Sequence, residues 1–555
     1  MTNKERLDAN NERIKAIQET LNNKILAVVG GREIELELPE EFEAATTIYQ
    51  FTADNDTILV SANNDDVGFW VYKIRDKTWM RGHGGKGWAQ FRQVSETKFL
   101  IAGSSAEGLL LYNLTDNTVT QLYDAGSGYI YFQLVEDGCL ISSNNINSKG
   151  ILLYNSTNDS VTKLYAESYA WQYYHKVSET KWLISSSNTV TGLCLYDASH
   201  KTIAQVYSEG YNWTASQKVG DKWLIGGWVR ILSYDASTDT FEQLYASGEK
   251  WTLFKPVGNN CLITSTSTGS NCSGVLLYNS SANTITREYT SGYGLDIFQV
   301  VGNNCLISST NTSNVKYILL YNSTDNTVTQ VYNDGYNWSK FCVIGDKCLI
   351  GNTTSGTGVL LYNAQDNTLT QAYTAGYNWQ FFKVIGDKCL IASSSSSTAS
   401  KGILLYDNSD GTITKKYNSG YYWLNFHIIG NNCLISGYKS YSSGILLYNS
   451  TNNTVTQVYS SRHGWEYFID VGDNCLIGSK VSSIDSGSAI GVLFYNSNDN
   501  TVTQAYTIGY NYDTFTPDKN NYYIESSDKT IEKRKLYYNA TDNSVKLVKY
   551  YIGEI

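Results

Sequence analysis

The sequence predicts an all-β repeat fold made of twelve copies of a four-stranded unit. Three observations carry that expectation. First, a tyrosine closes a short apolar run at Tyr72, Tyr112, Tyr154, Tyr196, Tyr234, Tyr278, Tyr321, Tyr362, Tyr406, Tyr448, Tyr495 and Tyr538, with successive gaps of 40, 42, 42, 38, 44, 43, 41, 44, 42, 47 and 43 residues. A near-constant period of this size marks a unit that buries its apolar faces only against copies of itself. Second, the chain holds 45 Tyr and 45 Gly but only 3 Pro and 2 Met, a bias toward strands. Third, each period contains four apolar runs of four to seven residues bounded by turn chemistry.

At 555 residues the chain is too long for one ordinary core, which requires several domains or an array. Hydrophobic residues at 42% and charged residues at 17% are globular proportions. A net charge of −10 argues against a phosphate-binding surface, so no nucleic-acid partner is expected. No segment approaches 18 consecutive apolar residues, and no membrane span is expected. The first thirty residues carry charge throughout and show no secretory h-region.

Residues 1–24 read as an N-terminal oligomerising or attachment α-helix. Leu7, Ile14 and Leu21 are seven apart with Ile17 between them, an a-type coiled-coil row with one d position. A helix lying on the repeat region or a frayed terminus are the alternatives. Residues 25–43 read as a connector with one extended stretch, Arg32 to Leu38, ending at Pro39.

The repeats follow from about residue 44. In one copy, Trp379 to Ile385 is the first strand and Gly386-Asp387 a hairpin signal. Cys389-Leu-Ile-Ala392 is the second strand, a Ser-rich loop leads to Gly402-Ile-Leu-Leu-Tyr406, and a polar turn precedes Thr412 to Tyr417. The middle strands are apolar at consecutive positions, so they are buried on both faces. The fourth strand alternates and is half exposed. Four-stranded sheets covered on both faces and repeated radially form a β-propeller. Twelve blades close as two six-bladed rings, the preferred expectation, with blades 1–6 at 44–293 and blades 7–12 at 294–555. One large ring is the alternative, and a β-solenoid a further one.

Cys139, Cys261, Cys305, Cys348, Cys389, Cys433 and Cys475 share one repeat position, held elsewhere by Phe99, Trp182 and Trp223. A position that takes Cys, Trp or Phe is a buried apolar one, so these read as structural thiols. Equivalent positions in neighbouring repeats are too far apart to bridge. No CxxC or metal-spaced Cys/His pattern appears, so no metal and no cofactor is expected.

A second recurring element, Gly-Tyr-Asn-Trp, precedes the first strand. Its candidate ligand-binding residues are Trp171, Tyr211, Trp213, Trp251, Tyr336, Trp338, Tyr377, Trp379, Tyr421, Trp423 and Trp465. Aromatic rings beside Asn amides on a propeller rim suit sugars, where rings pack on C–H faces and amides pair with hydroxyls. The alternative is that each Trp wedges between blades with its indole N–H on a carbonyl. Strand parity bears on this choice. If the strand runs from Trp338, then Trp338 and Phe341 point to opposite faces and cannot fill one seam.

Catalytic residues are not expected. The five His form no metal-spaced pair, and Asp325, Asp366 and Asp499 sit in turns where they read as turn formers.

Two resemblances add to these readings. Trp223-Leu-Ile-Gly-Gly227, Tyr234-Asp235 and Thr238-Asp-Thr-Phe241 resemble a kelch repeat, though most copies replace the double Gly. That implies a propeller and little about activity. The opening Met1-Thr-Asn-Lys-Glu-Arg-Leu-Asp-Ala-Asn-Asn-Glu-Arg-Ile-Lys-Ala-Ile resembles the N-terminal segments of tail-fibre or receptor-binding proteins from phages of Gram-positive bacteria. It implies a virion tail protein, assembled in the bacterial cytoplasm and joined to other tail proteins through its helix. The expected protein is then a homo-oligomer, a trimer being favoured, that binds host surface polysaccharide with avidity. An intracellular scaffold for a protein partner is the second reading, and a polysaccharide-degrading tail enzyme the third.

Overall fold

The computed structural model describes residues 24–551 apart from 30–31, 43–44, 46, 63–66, 86, 104–106, 146–147, 149, 168–169, 187–191, 210–211, 248–249, 266–273, 292–293, 310–316, 335–337, 354–356, 438–443, 462–463, 481–489, 510 and 527–532. Twelve four-stranded antiparallel sheets follow one another, each with its strands in sequential order. They span 48–83, 90–127, 129–165, 171–207, 215–245, 251–289, 297–332, 338–377, 379–417, 423–459, 465–506 and 512–551, and are numbered 1 to 12. Among the described residues there is no α-helix.

The expected N-terminal helix and its residues Leu7, Ile14, Ile17 and Leu21 lie outside the described residues. Lys24, the expected last helical residue, instead begins a strand. The connector also departs from expectation. It holds a two-stranded hairpin, Lys24–Val29 paired with Arg32–Glu37, where the sequence suggested one extended stretch. Leu36, Leu38 and Phe42 then pack on Ile58, Val60, Trp70 and Tyr72 of sheet 1. Trp79 of that sheet donates its indole N–H to the Glu37 carbonyl at 2.9 Å.

The chain divides into two compact units, residues 1–254 with 282–284 and residues 255–281 with 285–555, the division falling within the sixth sheet. In the first unit, sheets 1 and 2 share Leu59, Phe69, Phe99 and Leu110, and sheets 2 and 3 share Leu100, Leu109, Cys139 and Leu152. The seams between sheets 3 and 4 and between sheets 4 and 5 repeat this pattern. In the second unit the same seam recurs from sheets 6 and 7 through sheets 11 and 12. Each fully buried Leu or Ile contributes about 1.5–3 kcal/mol relative to exposure, so the seams, not the individual sheets, hold the units together.

Sheet 7 packs against sheets 6 and 8. Its Cys305, Ile307 and Leu319 pack on Leu262, Val275 and Leu277 of sheet 6. Its Leu306, Ile318 and Leu320 pack on sheet 8. Both of its faces are thus taken by chain neighbours.

The recurring tyrosine has a specific job. The third-to-fourth-strand turn needs a residue in the left-handed region, as at Asn326 (φ 60°) and Asp159 (φ 54°), and Asn and Asp tolerate it best after Gly. Tyr321 donates its hydroxyl to Asn326 Oδ1 at 2.9 Å, and Tyr154 donates to Asp159 Oδ1 at 2.6 Å. The preceding sheet then reaches the same turn residue. Asn260 Nδ2 donates to Asn326 Oδ1 at 2.7 Å, and Lys98 Nζ to Asp159 at 2.7 Å. Sequence period, turn geometry and inter-sheet contact thus meet in one hydrogen-bonded trio.

The last sheet ends differently. On its inner face Ile524, Leu536 and Tyr538 join the core shared with sheet 11. On the other, Lys535 pairs with Glu525 at 2.8 Å and stands 4.5 Å from the centre of the Tyr523 ring, which lies 5.1 Å from Tyr537.

Candidate functional site

The tryptophans of the recurring motif are structural. Trp171, Trp213, Trp251, Trp379 and Trp465 are 0% exposed, and Trp338 and Trp423 are 2% exposed. Their indole N–H groups donate to backbone carbonyls, and in some copies the Trp carbonyl accepts a serine hydroxyl. Trp379 donates its indole N–H to the Ala375 carbonyl at 2.9 Å and Trp338 to Asp334 at 2.8 Å. The Trp213 carbonyl accepts Ser185 Oγ at 2.5 Å. Where Gly replaces that serine, as at Gly351, an added Cβ would sit 1.8 Å from the Trp379 carbonyl oxygen. A tyrosine from the fourth strand meets the indole edge-on, Tyr373 at 5.8 Å from Trp379 and Tyr332 at 5.5 Å from Trp338. These seven rings therefore wedge between sheets and present no face to a sugar.

Parity failed because of a bulge. Between Trp338 and Lys340 the pairing with the second strand slips by one residue, and an extra residue resets which face the side chains take. Trp338 and Phe341 consequently fill the same seam between sheets 7 and 8.

The rest of the motif is also explained locally. Asn212 and Asn378 take φ of 54° and 55°, a conformation shared by Ala170, Lys250 and Tyr422 at the same position. The asparagine is there for the turn. Of the four candidate tyrosines, Tyr211 and Tyr336 lie outside the described residues. Tyr377 is 40% exposed, and Tyr421 is half-buried with Lys401 Nζ 5.1 Å from its ring centre. Trp228, which the motif does not include, is 42% exposed beside Lys250.

A better-formed site lies on the first strands of sheets 3 and 4. Ile130, Tyr131, Phe132 and Gln133 face Gln172, Tyr173, Tyr174 and His175 across a groove of about 430 Å³. The Tyr174 hydroxyl lies 2.7 Å from Ser142 Oγ, which itself donates to the Trp171 carbonyl. That chain fixes the Tyr174 ring as one wall. His175 Nδ1 lies 2.8 Å from Ser216 Oγ, and burial lowers its pKa below the ordinary imidazole value, so at neutral pH it is uncharged. Burial, then the neighbouring Tyr173, raises the Tyr131 pKa. The groove is thus uncharged, aromatic and fringed by amides.

A second concavity, between sheets 6 and 7, is of the opposite kind. Asn259, Asn260, Asn279, Asn303 and Asn326 line about 320 Å³ on the side of the hairpin turns. Two of its asparagines, Asn260 and Asn326, are engaged in the inter-sheet lock.

Sequence reasoning missed the groove because it followed what repeats. The position of Tyr131 and Tyr173 is held by Ala215, Leu253 and Lys340 in other copies. The residue at this position changes from copy to copy, unlike the buried seam positions. That variation was the available signal.

The turn aspartates behave as the sequence indicated. Asp325, Asp366 and Asp499 each accept the backbone N–H of a Thr two residues on, at 3.1, 3.1 and 3.2 Å. The Thr368 hydroxyl and N–H hold the Asp366 carboxyl below its usual pKa. Carboxylates committed in this way are poor acid–base pairs.

No family model matches the sequence, and no curated protein matches it. Solved structures are similar at a low level. The extracellular domain of the putative one component system BT4673 from B. thetaiotaomicron aligns at 11% identity over 95% of this chain and 79% of that one, with a TM-score of 0.24. PorZ, a surface component of the type-IX secretion system of Porphyromonas gingivalis, aligns at 11% identity over 96% and 79%, with a TM-score of 0.25. BamB from Moraxella catarrhalis aligns at 10% identity over 56% and 96%, with a TM-score of 0.27. Among the described residues the chain is all-β, built of twelve four-stranded antiparallel sheets in sequence.

Proposed function

We propose that the protein is a non-catalytic adhesin that binds cell-surface glycan in the aromatic groove of sheets 3 and 4. The observation that carries this reading is the composition of the groove, with Tyr131, Tyr173 and Tyr174 beside Gln172 and His175. Sugar rings present apolar C–H faces and outward hydroxyls, which suit flat rings fringed by neutral hydrogen-bonding groups. Tyr377, Tyr421 and Trp228 offer further aromatic surface for a long polysaccharide. The tail-fibre-like N-terminus supports carriage on a phage tail, with several copies held together so that weak contacts add.

The test is binding of the full chain to an array of bacterial surface polysaccharides. Tyr131→Ala with Tyr173→Ala is expected to weaken binding at least tenfold with an unchanged melting temperature. Binding that survives the double change would remove the groove from the reading. Release of reducing ends would point to a hydrolase, and co-purification of a defined protein without glycan binding to a scaffold. The tail assignment is tested separately, by searching for the chain in purified phage particles with mass spectrometry.

A further inference from the structure

One seam departs from the repeat at two positions together. On the first strand, the residue paired with five of the row cysteines is aliphatic: Leu134 with Cys139, Val300 with Cys305, Val343 with Cys348, Val384 with Cys389 and Ile428 with Cys433. In sheet 11 the partner of Cys475 is Asp470. Opposite it, from sheet 10, stands His427, at the position held by Gln299, Cys342 and Lys383 in the three sheets before. His427 Nε2 lies 2.6 Å from Asp470 Oδ1. One ligand atom each from His427, Asp470 and Cys475 falls within 4.8 Å of the others, the convergence of this kind found among the described residues. Phe468 stacks on the imidazole at 5.2 Å with a 10° tilt and fixes the plane of its ring.

We propose that His427, Asp470 and Cys475 form a binding site for a divalent transition metal, with zinc the best match. An imidazole nitrogen, a carboxylate oxygen and a thiolate sulfur are all zinc donors, at about 2.0–2.3 Å. Tetrahedral ligands at those bond lengths stand about 3.3–3.7 Å apart, so the three side chains need close in by only about an ångström. The His427–Asp470 hydrogen bond opens, and each group turns its lone pair to the ion. The Cys475 thiol gives its proton to solvent as the sulfur–metal bond forms. Asp470 is exposed and Cys475 buried, which leaves the fourth position on the solvent side for water. The ion would join sheets 10 and 11 beyond the packing and hydrogen bonds that link the other sheets. This site is independent of the glycan groove, which lies in the other unit.

Cobalt(II) titration of the chelator-treated full chain tests it, because thiolate ligation gives a near-ultraviolet charge-transfer band. One equivalent of cobalt is expected to produce the band, and one equivalent of zinc to abolish it. Cys475→Ser is expected to lose the band. His427→Gln and Asp470→Asn, at positions that are not fully buried, are each expected to weaken binding at least tenfold. They decide the matter if the cysteine variant does not fold. No band at equimolar cobalt, or a band and affinity unchanged in the variants, overturns the proposal.

Discussion

Cys342 Sγ and Cys389 Sγ lie 3.9 Å apart across the seam between sheets 8 and 9. Cys342 is not one of the row cysteines. It sits on the first strand, where its sulfur meets the row cysteine of the next sheet. The row itself cannot cross-link, but this pair can. Cys342 is half-buried and Cys389 fully buried, and hydrogen bonding from Cys389 lowers the Cys342 pKa below the ordinary thiol value. Cys342 is therefore the thiol that attacks first. With oxidised glutathione, Cys342 forms a mixed disulfide and releases one glutathione thiolate, and Cys389 then displaces the second. Peptide mass spectrometry is expected to show the Cys342–Cys389 cross-link, absent in Cys342→Ser. A chain that keeps both thiols free under these conditions contradicts the expectation.

The inter-sheet lock predicts a modest, specific cost. Tyr321→Phe keeps the ring and removes the hydroxyl that serves both Asn326 and Asn260. The loss is expected to be about 1–2 kcal/mol, read as a shift in denaturant midpoint. Combined with Asn260→Ala, the effects are expected to add less than fully, because both changes break the same trio.

Two tryptophans separate packing from surface. Trp379→Ala empties a fully buried site and is expected to cost about 3–5 kcal/mol. Trp228→Ala, at an exposed position, is expected to stay within about 0.5 kcal/mol. Similar melting temperatures for the two variants would contradict the wedge role of Trp379.

Acid stability has a named contributor. Lys388 bonds to Asp407, and together with the Ser409 hydroxyl it holds the Asp407 carboxyl down to about 2. The folded pKa lies below the unfolded value near 3.8, so the unfolded chain binds more protons in this range. The stabilisation is full above about pH 4 and is lost as pH falls toward 2. Asp407→Asn is expected to flatten that part of the stability–pH curve, measured by urea unfolding from pH 5 to 2. An identical slope in the variant would assign the acid loss elsewhere.

The sequence made the four-stranded unit legible because its markers are dictated by backbone geometry. Tyr321 and Asn326 recur since the left-handed turn favours an Asx side chain, whose carbonyl the tyrosine hydroxyl satisfies. The row cysteines recur since both faces of the second strand are covered. What stayed hidden depends on choices that leave little trace in composition. The slip after Trp338 is set by strand pairing, and it reversed the inferred direction of the ring. The hairpin from Lys24 to Glu37 is a single copy with no repeat to reveal it. The groove at Tyr131 and Tyr173 sits where copies differ, which a search for similarity passes over.

The covering of sheet 1 by Leu36, Leu38 and Phe42, and the Lys535–Glu525 pair on sheet 12, set these two copies apart from the ten between them. An interior copy offers the same greasy front and back as its neighbours, so a duplication or deletion of some forty residues can be accommodated anywhere between them. The groove of sheets 3 and 4 is written on one pair of copies, so its lining can change without rebuilding the other seams.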